Sequence, residues 1–454
     1  MPGHARKDIV REGQIGVYHT WSRCVQRAHL CGFDPLTGQD FEHRRVWIKT
    51  LLEYQASVFA VDVGNYTILS NHQHLIARTR PDIAATWTDE EVAWRWKRAW
   101  PAWQDGQWIR EPTDQEIEEV LAQRDRLPQL RAHLSSLSWF MARWKEPIAR
   151  LANQESGTKG HFYEQRFGSR ELVDDGANLC CNVYLDLNQV QAGLARSLEE
   201  STCSAIYDRL VAWRQRETQA SLEEFRASAS EGYVLEYSDV EGLLADCFLA
   251  PIRDQGPALV VDAGGASRVL GSPVPAERVP AGDRCQLLSV LPIKDAENED
   301  PKGEQEQDLS EGAPDALSAE ASAVVESTAA GGEAGHKPRQ RPQPTWKVHQ
   351  RLQRHRRRRA SDHAFLGIPL EQYLGLVQWT AQQVGADSPR SPPASCEAVL
   401  RRLGVEPLQW CQAVEHFAHW FHGVVGHVEQ LRERMERAGK KWLQGMRACR
   451  DVFT

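Results

Sequence analysis

Hydrophobic and polar positions follow two different periods over the first two hundred residues. Residues 15–21 alternate strictly, which predicts a strand, and residues 41–57 place apolar side chains at helical spacing. Residues 58–69 alternate again, and a further strand is predicted from His72 to about Arg78. The positions that define the first strand and the helix are Ile15, Val17, His19 and Trp21, then Val46, Leu51 and Leu52.

Two longer helical patterns follow, over residues 128–153 and 174–194, with a loop around Gly160 between them. Pro147, inside the first of these patterns, predicts a kink in the helix. The order of strands and helices predicts an α+β fold in which helices pack on an antiparallel sheet.

Composition divides the chain into four predicted parts. Residues 1–216 carry the alternating pattern, and residues 217–294 are a mixed extension with no clear assignment. Residues 295–360 form a linker, rich in Glu, Ala, Ser, Gly and Pro over its acidic half, which has too few apolar side chains to bury a core, so it is predicted to be disordered. Residues 361–454 show helical periodicity and are predicted to form a helical accessory domain.

Net charge is misleading unless it is read locally. The whole chain has a formal charge of −8, but residues 295–334 hold twelve acids and one Lys, whereas residues 337–359 hold ten Lys or Arg and no acid. Without the acidic block the net charge would be +3. The basic run ends in four arginines that are expected to contact nucleic-acid phosphates, although a solvated run that balances the acids is the alternative. These arginines are Arg356, Arg357, Arg358 and Arg359.

Cysteine usage and hydropathy narrow the class of protein further. The ten Cys form no C-x-x-C pair, which argues against a zinc ribbon and against a dense disulfide framework. No apolar run is as long as a membrane span, and no signal peptide is evident, so a cytoplasmic protein without a membrane partner is expected.

His72-Gln73-His74 is the sharpest local feature of the sequence. It is the only H-x-H among sixteen His. On a strand, residues i and i+2 project from the same face, so both imidazoles can reach one metal ion. The alternative is a pair of ordinary surface or core histidines.

Tyr184 and Asn188 lie four residues apart on the predicted helix 174–194, and therefore on one helical face. The amide oxygen of Asn188 can add a hard ligand to the two imidazoles, a set that suits a divalent cation with open positions for phosphate oxygens. Tyr184 can attack a phosphodiester as a nucleophile. The product is a phosphotyrosine ester, which keeps the free energy of the phosphoester bond for a later joining step. The alternative is a Tyr that packs in the core.

Three segments together resemble the single-tyrosine transposases of the HUH superfamily, including those associated with repetitive extragenic palindromes. Residues 66–75 (YTILSNHQHL) resemble the family pattern Y-x-x-M-x-N-H-x-H-L. Residues 160–167 (GHFYEQRF) resemble G-x-F-x-x-x-R-F. Residues 184–193 (YLDLNQVQAG) resemble Y-[IV]-x-L-N-P-V-R-A-G. The segments occur in family order within residues 14–210.

The resemblance implies a ferredoxin-like HUH fold and a bacterial, nucleoid-associated transposase. Its expected activity is to cut and rejoin single-stranded or hairpin DNA through a 5′-phosphotyrosine. By the same resemblance, His72, His74 and Asn188 are ligands of Mg²⁺ or Mn²⁺, and Tyr184 is the nucleophile. A homodimer is also expected, because family members often act as dimers.

The sequence departs from the family pattern at Gln73, Gln189 and Gln191, where a hydrophobic residue, Pro and Arg are usual. None of these positions is an expected ligand or nucleophile, but the departures also fit a decayed or repurposed regulator that only binds nucleic acid. A hydrolytic metal enzyme of another kind is a third hypothesis.

Further DNA contacts are expected from Arg23, Arg27 and Arg166. Arg166 can grip two phosphate oxygens, or instead tie its loop to the core. The C-terminal histidines His416, His419 and His422 drift off a single helical face and are not expected to bind a metal.

Overall fold

A computed structural model describes the chain over ten stretches: residues 9–25, 29–35, 37–228, 244–252, 259–261, 267–269, 359–383, 389–437, 439 and 445–453. The strands are Gly16–Arg23 (β1), Phe33–Asp34 (β2), Gln39–Asp40 (β3), Val61–Ile68 (β4), His72–Thr79 (β5), Ala102–Gln104 (β6), Gln107–Ile109 (β7), Gly168–Leu172 (β8), Leu259–Val261 (β9), Ser267–Val269 (β10) and Val424–Val425 (β11).

Helices occupy most of the remaining described residues. Those before the linker are His43–Val58 (α1), Pro81–Thr86 (α2), Asp89–Arg98 (α3), Asp114–Leu121 (α4), Leu127–His133 (α5), Leu137–Glu155 (α6), Asp175–Gln191 (α7) and Ala205–Ser228 (α8). Those after it are Leu370–Ala381 (α9), Ala394–Leu403 (α10), Pro407–Glu415 (α11), Phe417–Trp420 (α12), Val428–Arg437 (α13) and Met446–Val452 (α14). The α+β class is confirmed.

The central sheet has five strands in the order β11-β8-β1-β5-β4. Strand β1 pairs antiparallel with both β5 and β8, and β4 pairs antiparallel with β5. The short strand β11 joins the edge parallel to β8. The sheet is therefore mixed, and the prediction of a purely antiparallel sheet was wrong because β11 comes from a distant part of the chain.

Each face of the sheet has its own hydrophobic core. Tyr18, Tyr66 and Leu75 point to one face, where they pack with α1 and α6. Ile76 and Leu172 point to the other face, where they pack with α7 and with helices from beyond the linker. Side chains alternate along a strand, so successive residues within β1, and within β5, point into different cores.

The predicted helix over residues 128–153 is two helices, α5 and α6. They separate at Leu134, whose carbonyl accepts a hydrogen bond from Ala60 N at 2.8 Å instead of continuing the helix. Pro147 lies inside α6 and cannot donate to Arg143 O, but Gln55 Nε2 from α1 lies 3.4 Å from that oxygen and donates to it. A side chain from α1 thus replaces the backbone hydrogen bond that Pro147 removes.

Two other details of the predicted elements were wrong. Strand β8 falls where a loop was predicted, because its five residues show little hydrophobic alternation and gain their place by pairing with β1. Val46 of α1 is 55% exposed, whereas Leu51 and Leu52 are buried as expected. Its helical position puts Val46 on the side of α1 opposite to Ile48 and Gln55, which face the core.

The helices after the linker pack into the same compact unit as the first part of the chain. Phe365 fills the space beside Gly64, where a β-bulge interrupts β4, and a Cβ added at Gly64 would lie 2.1 Å from the Phe365 ring. Asp62 of β4 accepts hydrogen bonds from Arg78 Nη2 at 2.7 Å and from Ser361 Oγ at 2.7 Å. These contacts tie the segment that follows the linker to the edge of the sheet.

Some predictions concern residues outside the described ranges. They are the disorder of the linker over residues 295–358, the DNA contacts of Arg27, Arg356, Arg357 and Arg358, and most of the extension over residues 229–294. The four-part domain division stays a prediction.

Candidate active site

The two histidines of the H-x-H motif share one face of β5. His72 is half-buried at the start of the strand and His74 is 6% exposed, and their ring centroids are 4.9 Å apart. Gln73 points to the opposite face, as the alternation of the strand requires. Helix α7 packs on the face that carries the two histidines.

Helix α7 brings Tyr184 to the histidine pair. The helix begins at Asp175, where the side chain of Asp174 caps it by accepting a hydrogen bond from Ala177 N at 2.8 Å. Tyr184 lies edge-on to His74, with ring centroids 6.0 Å apart. One turn later, Asn188 is buried and hydrogen-bonds to the Tyr184 side chain. The structure thus brings Tyr184 of α7 next to His74 of β5, with Asn188 one turn further along the same helix.

Each histidine has one ring nitrogen engaged and one available. His72 Nδ1 lies 2.6 Å from Asn71 Oδ1, which leaves Nε2 for a ligand. His74 Nδ1 lies 2.9 Å from His19 Nε2, and His74 Nε2 is buried with no hydrogen-bond partner among the described residues. A buried polar atom without a partner costs free energy, so His74 Nε2 is a candidate donor atom for a cation.

The donor set fits a divalent cation of borderline to hard character. Two imidazole nitrogens and the amide oxygen of Asn188 would supply three protein ligands, with open positions left over. In the described parts of the chain, no group of three or more His, Cys, Asp or Glu forms a metal site. A cation here would therefore depend on Asn188 as its third ligand.

Burial keeps these imidazoles neutral. Burial and the nearby Arg23 lower the pKa of His72 to about 4. Burial and the neighbouring His19 hold the pKa of His74 well below its ordinary value. Metal ligands must be deprotonated, so near pH 7 neither ring has to lose a proton before it binds a cation.

The surroundings of Tyr184 act on its phenol in two directions. Burial raises the pKa of Tyr184, whereas the positive charge of Arg170 and the hydrogen bond with Asn188 lower it. The side chain is 7% exposed, and its ring stacks on Phe417 with centroids 5.2 Å apart and an interplanar angle of 20°. A residue from beyond the linker thus forms one wall of the site.

Sequence reasoning missed two residues of this site, His19 and Arg170. Arg170 lies on β8 beside β1, with its guanidinium 4.6 Å from the centre of the Trp21 ring and its Nη2 donating to Ala418 O at 2.6 Å. The available signal for His19 was a polar side chain at a core position of an alternating strand. No signal in the sequence pointed to Arg170, because the strand that carries it, β8, was not predicted.

The residues expected to contact DNA have different environments. Arg23 is exposed at the end of β1, opposite His72 in the strand pairing, and Arg166 is exposed in the loop before β8. Arg359 is half-buried; its Nε donates to Asp362 Oδ1 at 2.8 Å and its Nη1 to Cys247 O at 3.3 Å. The Arg359 guanidinium is thus engaged within the protein rather than extended from it.

The segment 160–167 holds the end of β1 in place. Val25 N donates to Phe162 O at 3.0 Å, and Glu164 N donates to Arg23 O at 3.0 Å. Gln189, one of the departures from the family pattern, is buried and its Nε2 donates to Thr202 O at 2.8 Å and Thr67 Oγ1 at 3.2 Å. Gln189 therefore ties α7 to β4 and to the loop before α8.

The three C-terminal histidines do not share one helix. His416 lies between α11 and α12 and its ring packs against Trp420, whereas His422 follows the end of α12.

Comparison with protein-family models finds no matching family, and comparison with curated proteins and with solved structures finds no match either. Among the described residues, no helix is both long enough and apolar enough to cross a membrane.

Proposed function

We propose that this chain is a metal-dependent nuclease and strand transferase of the HUH type that acts on single-stranded DNA through Tyr184. The observation that carries the proposal is the meeting of His72 and His74 from β5 with Tyr184 and Asn188 from α7. Two of the three segments that resemble the family, 66–75 and 184–193, are far apart in sequence, and the contact between His74 and Tyr184 joins them.

The arrangement of the core supports the same proposal. The elements β1, α1, β4, β5, α6 and β8 follow one another in the order βαββαβ, with only short additional elements between them. The four strands lie in the order β8-β1-β5-β4, and α1 and α6 pack on one face. We take this order as support for a ferredoxin-like arrangement, which leaves the opposite face for the histidine pair and α7.

His72 and His74, through Nε2, and Asn188, through its amide oxygen, would hold the divalent cation. When bound, such a cation neutralises charge on the scissile phosphate and orients it. Asn71 holds the His72 ring through Nδ1 and thereby directs Nε2 towards the cation position.

Tyr184 supplies the nucleophile in this mechanism. Its phenol gives up its proton, the phenolate oxygen forms a bond to phosphorus, and the bond from phosphorus to the 3′-oxygen breaks, after which that oxygen takes a proton. The charge of Arg170 favours the phenolate. The product is a 5′-phosphotyrosine, which a free 3′-OH of another strand can attack to reverse the step.

Exposed arginines at the margin of the site fit a DNA substrate. Arg23 lies next to His72, and Arg166 lies in the loop that leads into β8. Both can contact phosphates on either side of the scissile bond. An unpaired strand is the expected substrate, because its backbone can enter a site on the face of a sheet without a partner strand.

The test is the formation of a covalent adduct between the full chain and hairpin-bearing single-stranded DNA in Mg²⁺ or Mn²⁺. We expect a labelled band on a denaturing gel that Tyr184→Phe abolishes and that His74→Ala strongly reduces. Tyr207→Phe is the matched control, because Tyr207 lies on α8 and makes none of the contacts described at the site. An adduct that persists in Tyr184→Phe would refute the role of Tyr184.

A second function is favoured by the burial of Tyr184. At 7% exposure, with Phe417 stacked on it, the phenol is well covered for a nucleophile. A regulator that binds nucleic acid without cutting it fits that observation. It predicts DNA binding without an adduct under all metal conditions, whereas free 5′-phosphate ends without an adduct would indicate hydrolysis.

A further inference from the structure

Trp96, Trp100, His133 and Trp139 form an aromatic platform beside the start of α6, away from the proposed active site. Trp96 lies edge-on to Trp100 and to Trp139, with ring centroids 4.3 Å and 5.4 Å apart. His133 stacks on Trp139, with centroids 4.4 Å apart. Trp139 belongs to α6, whereas the other three rings come from residues 81–133, which separate β5 from α6 and add to the βαββαβ core.

The aromatic platform is open to solvent although its rings are largely apolar. Trp100 is 37% exposed, and the side chains of Trp96, His133 and Trp139 are half-buried. Exposed apolar side chains that stand alone are common, whereas a contiguous group of large rings indicates a surface that binds a partner.

Arginines of α6 accompany these rings and indicate the chemistry of the partner. The guanidinium of Arg143, one turn after Trp139, lies 5.0 Å from the centre of the Trp100 ring. Arg143 and Arg150 both pair with Glu146, so this trio carries one positive charge in excess. Bases stack on aromatic rings and on guanidinium planes, and arginines bind phosphates. Because the bases of a duplex cover each other's faces, an unpaired strand is the form that fits.

The exposed face of α6 leads from the aromatic platform towards the margin of the proposed active site. Arg150 lies eleven residues after Trp139, which is three helical turns, so both are on one face and about 16 Å apart along the axis. Beyond Arg150, Asn153 Nδ2 donates to Gly160 O at 2.9 Å, in the loop that carries Arg166. A strand that leaves the site past Arg166 can therefore follow α6 to these rings.

We propose that the aromatic platform binds an unpaired segment of the DNA substrate by stacking bases on Trp100 and the rings beside it. The proposal rests on the proposed function for the choice of DNA, and it requires the substrate to continue as a single strand beyond the cleaved bond. It concerns residues outside the three segments that resemble the family.

Binding of a fluorescein-labelled oligothymidine to the full chain tests the proposal, measured by fluorescence anisotropy in EDTA so that no cleavage is expected. We expect Trp100→Ala to weaken binding about 5- to 150-fold, the usual effect of removing one base–aromatic stack. Trp100→Phe should bind within a few-fold of wild type, because its ring still offers a face. Trp103→Ala is the matched control and should bind like wild type, since this half-buried ring of the same added segment packs against Trp47 and Trp108 instead.

Salt dependence separates stacking from contact with phosphates. Arg150→Ala should reduce the slope of the logarithm of the binding constant against that of the salt concentration by about 0.7, the value for one phosphate of a single strand. Trp100→Ala should leave that slope unchanged. A strand that contains 5-iododeoxyuridine should cross-link on irradiation to a peptide that contains Trp96, Trp100 or Trp139, located by mass spectrometry.

Thermal unfolding shows whether each variant is folded. Folded Trp100→Ala that binds oligothymidine like wild type would overturn the proposal, as would an equal loss in Trp103→Ala or cross-links confined to other peptides. The expected losses in protein that forms no DNA adduct would refute the proposed function and leave the aromatic platform standing. Adduct formation together with unchanged binding by Trp100→Ala would do the reverse.

Discussion

At the scale of single residues, Gln73 is in an unfavourable position. It lies between the two site histidines on β5, is 1% exposed, and has neither amide atom hydrogen-bonded among the described residues. Its β1 neighbour Ser22 is also buried with an unpartnered hydroxyl. Burial of polar atoms without partners costs about 1–3 kcal/mol, and an apolar side chain of the same length would avoid that cost.

We therefore expect Gln73→Met to raise the free energy of unfolding by about 1–3 kcal/mol, measured by urea denaturation. Adduct formation should persist, because Gln73 points away from His72 and His74. Gln55→Met is the matched control. Gln55 is also fully buried, but its Nε2 donates a hydrogen bond to Arg143 O in α6, so this substitution should destabilise the protein. A loss of stability in Gln73→Met would show that its amide has a partner.

At the scale of elements, α7 is held by a buried polar group two residues after Tyr184, the proposed nucleophile. Asp186 Oδ1 accepts a hydrogen bond from Asn65 Nδ2 of β4 at 2.8 Å, and Oδ2 accepts one from Tyr373 of α9. This carboxyl thus connects the sheet, α7 and a helix from beyond the linker. Burial raises its pKa to about 6.

The raised pKa of Asp186 gives a prediction with a definite sign. The folded state binds the proton more tightly than the unfolded state, so this contribution to stability is present below pH 3.8 and is lost as the pH rises through about 6. Asp186→Asn lacks that titration. Its stability relative to wild type should rise by about 2 kcal/mol between pH 4 and pH 7, at about 1.4 kcal/mol per pKa unit.

Urea denaturation of both proteins across that pH range measures the difference. Asp105→Asn, in the exposed turn between β6 and β7, is the control for the substitution itself. A difference between wild type and Asp186→Asn that stays constant with pH would contradict the burial of an ionisable carboxyl at this junction.

At the scale of the whole molecule, residues 359–453 complete the core on the second face of the sheet. Phe365, Tyr373, Trp410 and Val425 are buried there together with Tyr184, and β11 pairs with the edge strand β8. Phe417 and Ala418 contact the site directly, through Tyr184 and Arg170. The sheet and α7 therefore share their core with the C-terminal helices.

A chain that ends at residue 358 is expected to lose cooperative unfolding and to aggregate, because it would expose the apolar face of α7 and the edge of β8. Differential scanning calorimetry and size-exclusion chromatography check this. Addition of a 359–454 fragment in trans should restore both the transition and Mn²⁺ binding. A truncated chain that unfolds cooperatively and binds Mn²⁺ would contradict the shared core.

The sequence by itself determined the α+β class, the elements β1, α1, β4, β5 and α7, and the residues proposed for chemistry. Local periodicity sufficed there, because β1, α1, β4, β5 and α7 each repeat apolar side chains at the spacing of their own geometry. Spacing alone could also pair His72 with His74, and Tyr184 with Asn188.

Only the tertiary structure decided how those pairs meet and what surrounds them. Strands β8 and β11 are too short to show a period of apolar side chains in the sequence. They form because they pair with other strands of the sheet. His19, Arg170 and Phe417 reach the site from β1, β8 and the C-terminal helices, so their roles depend on contacts between segments up to about four hundred residues apart. Such contacts follow from packing and burial, which local sequence patterns do not contain.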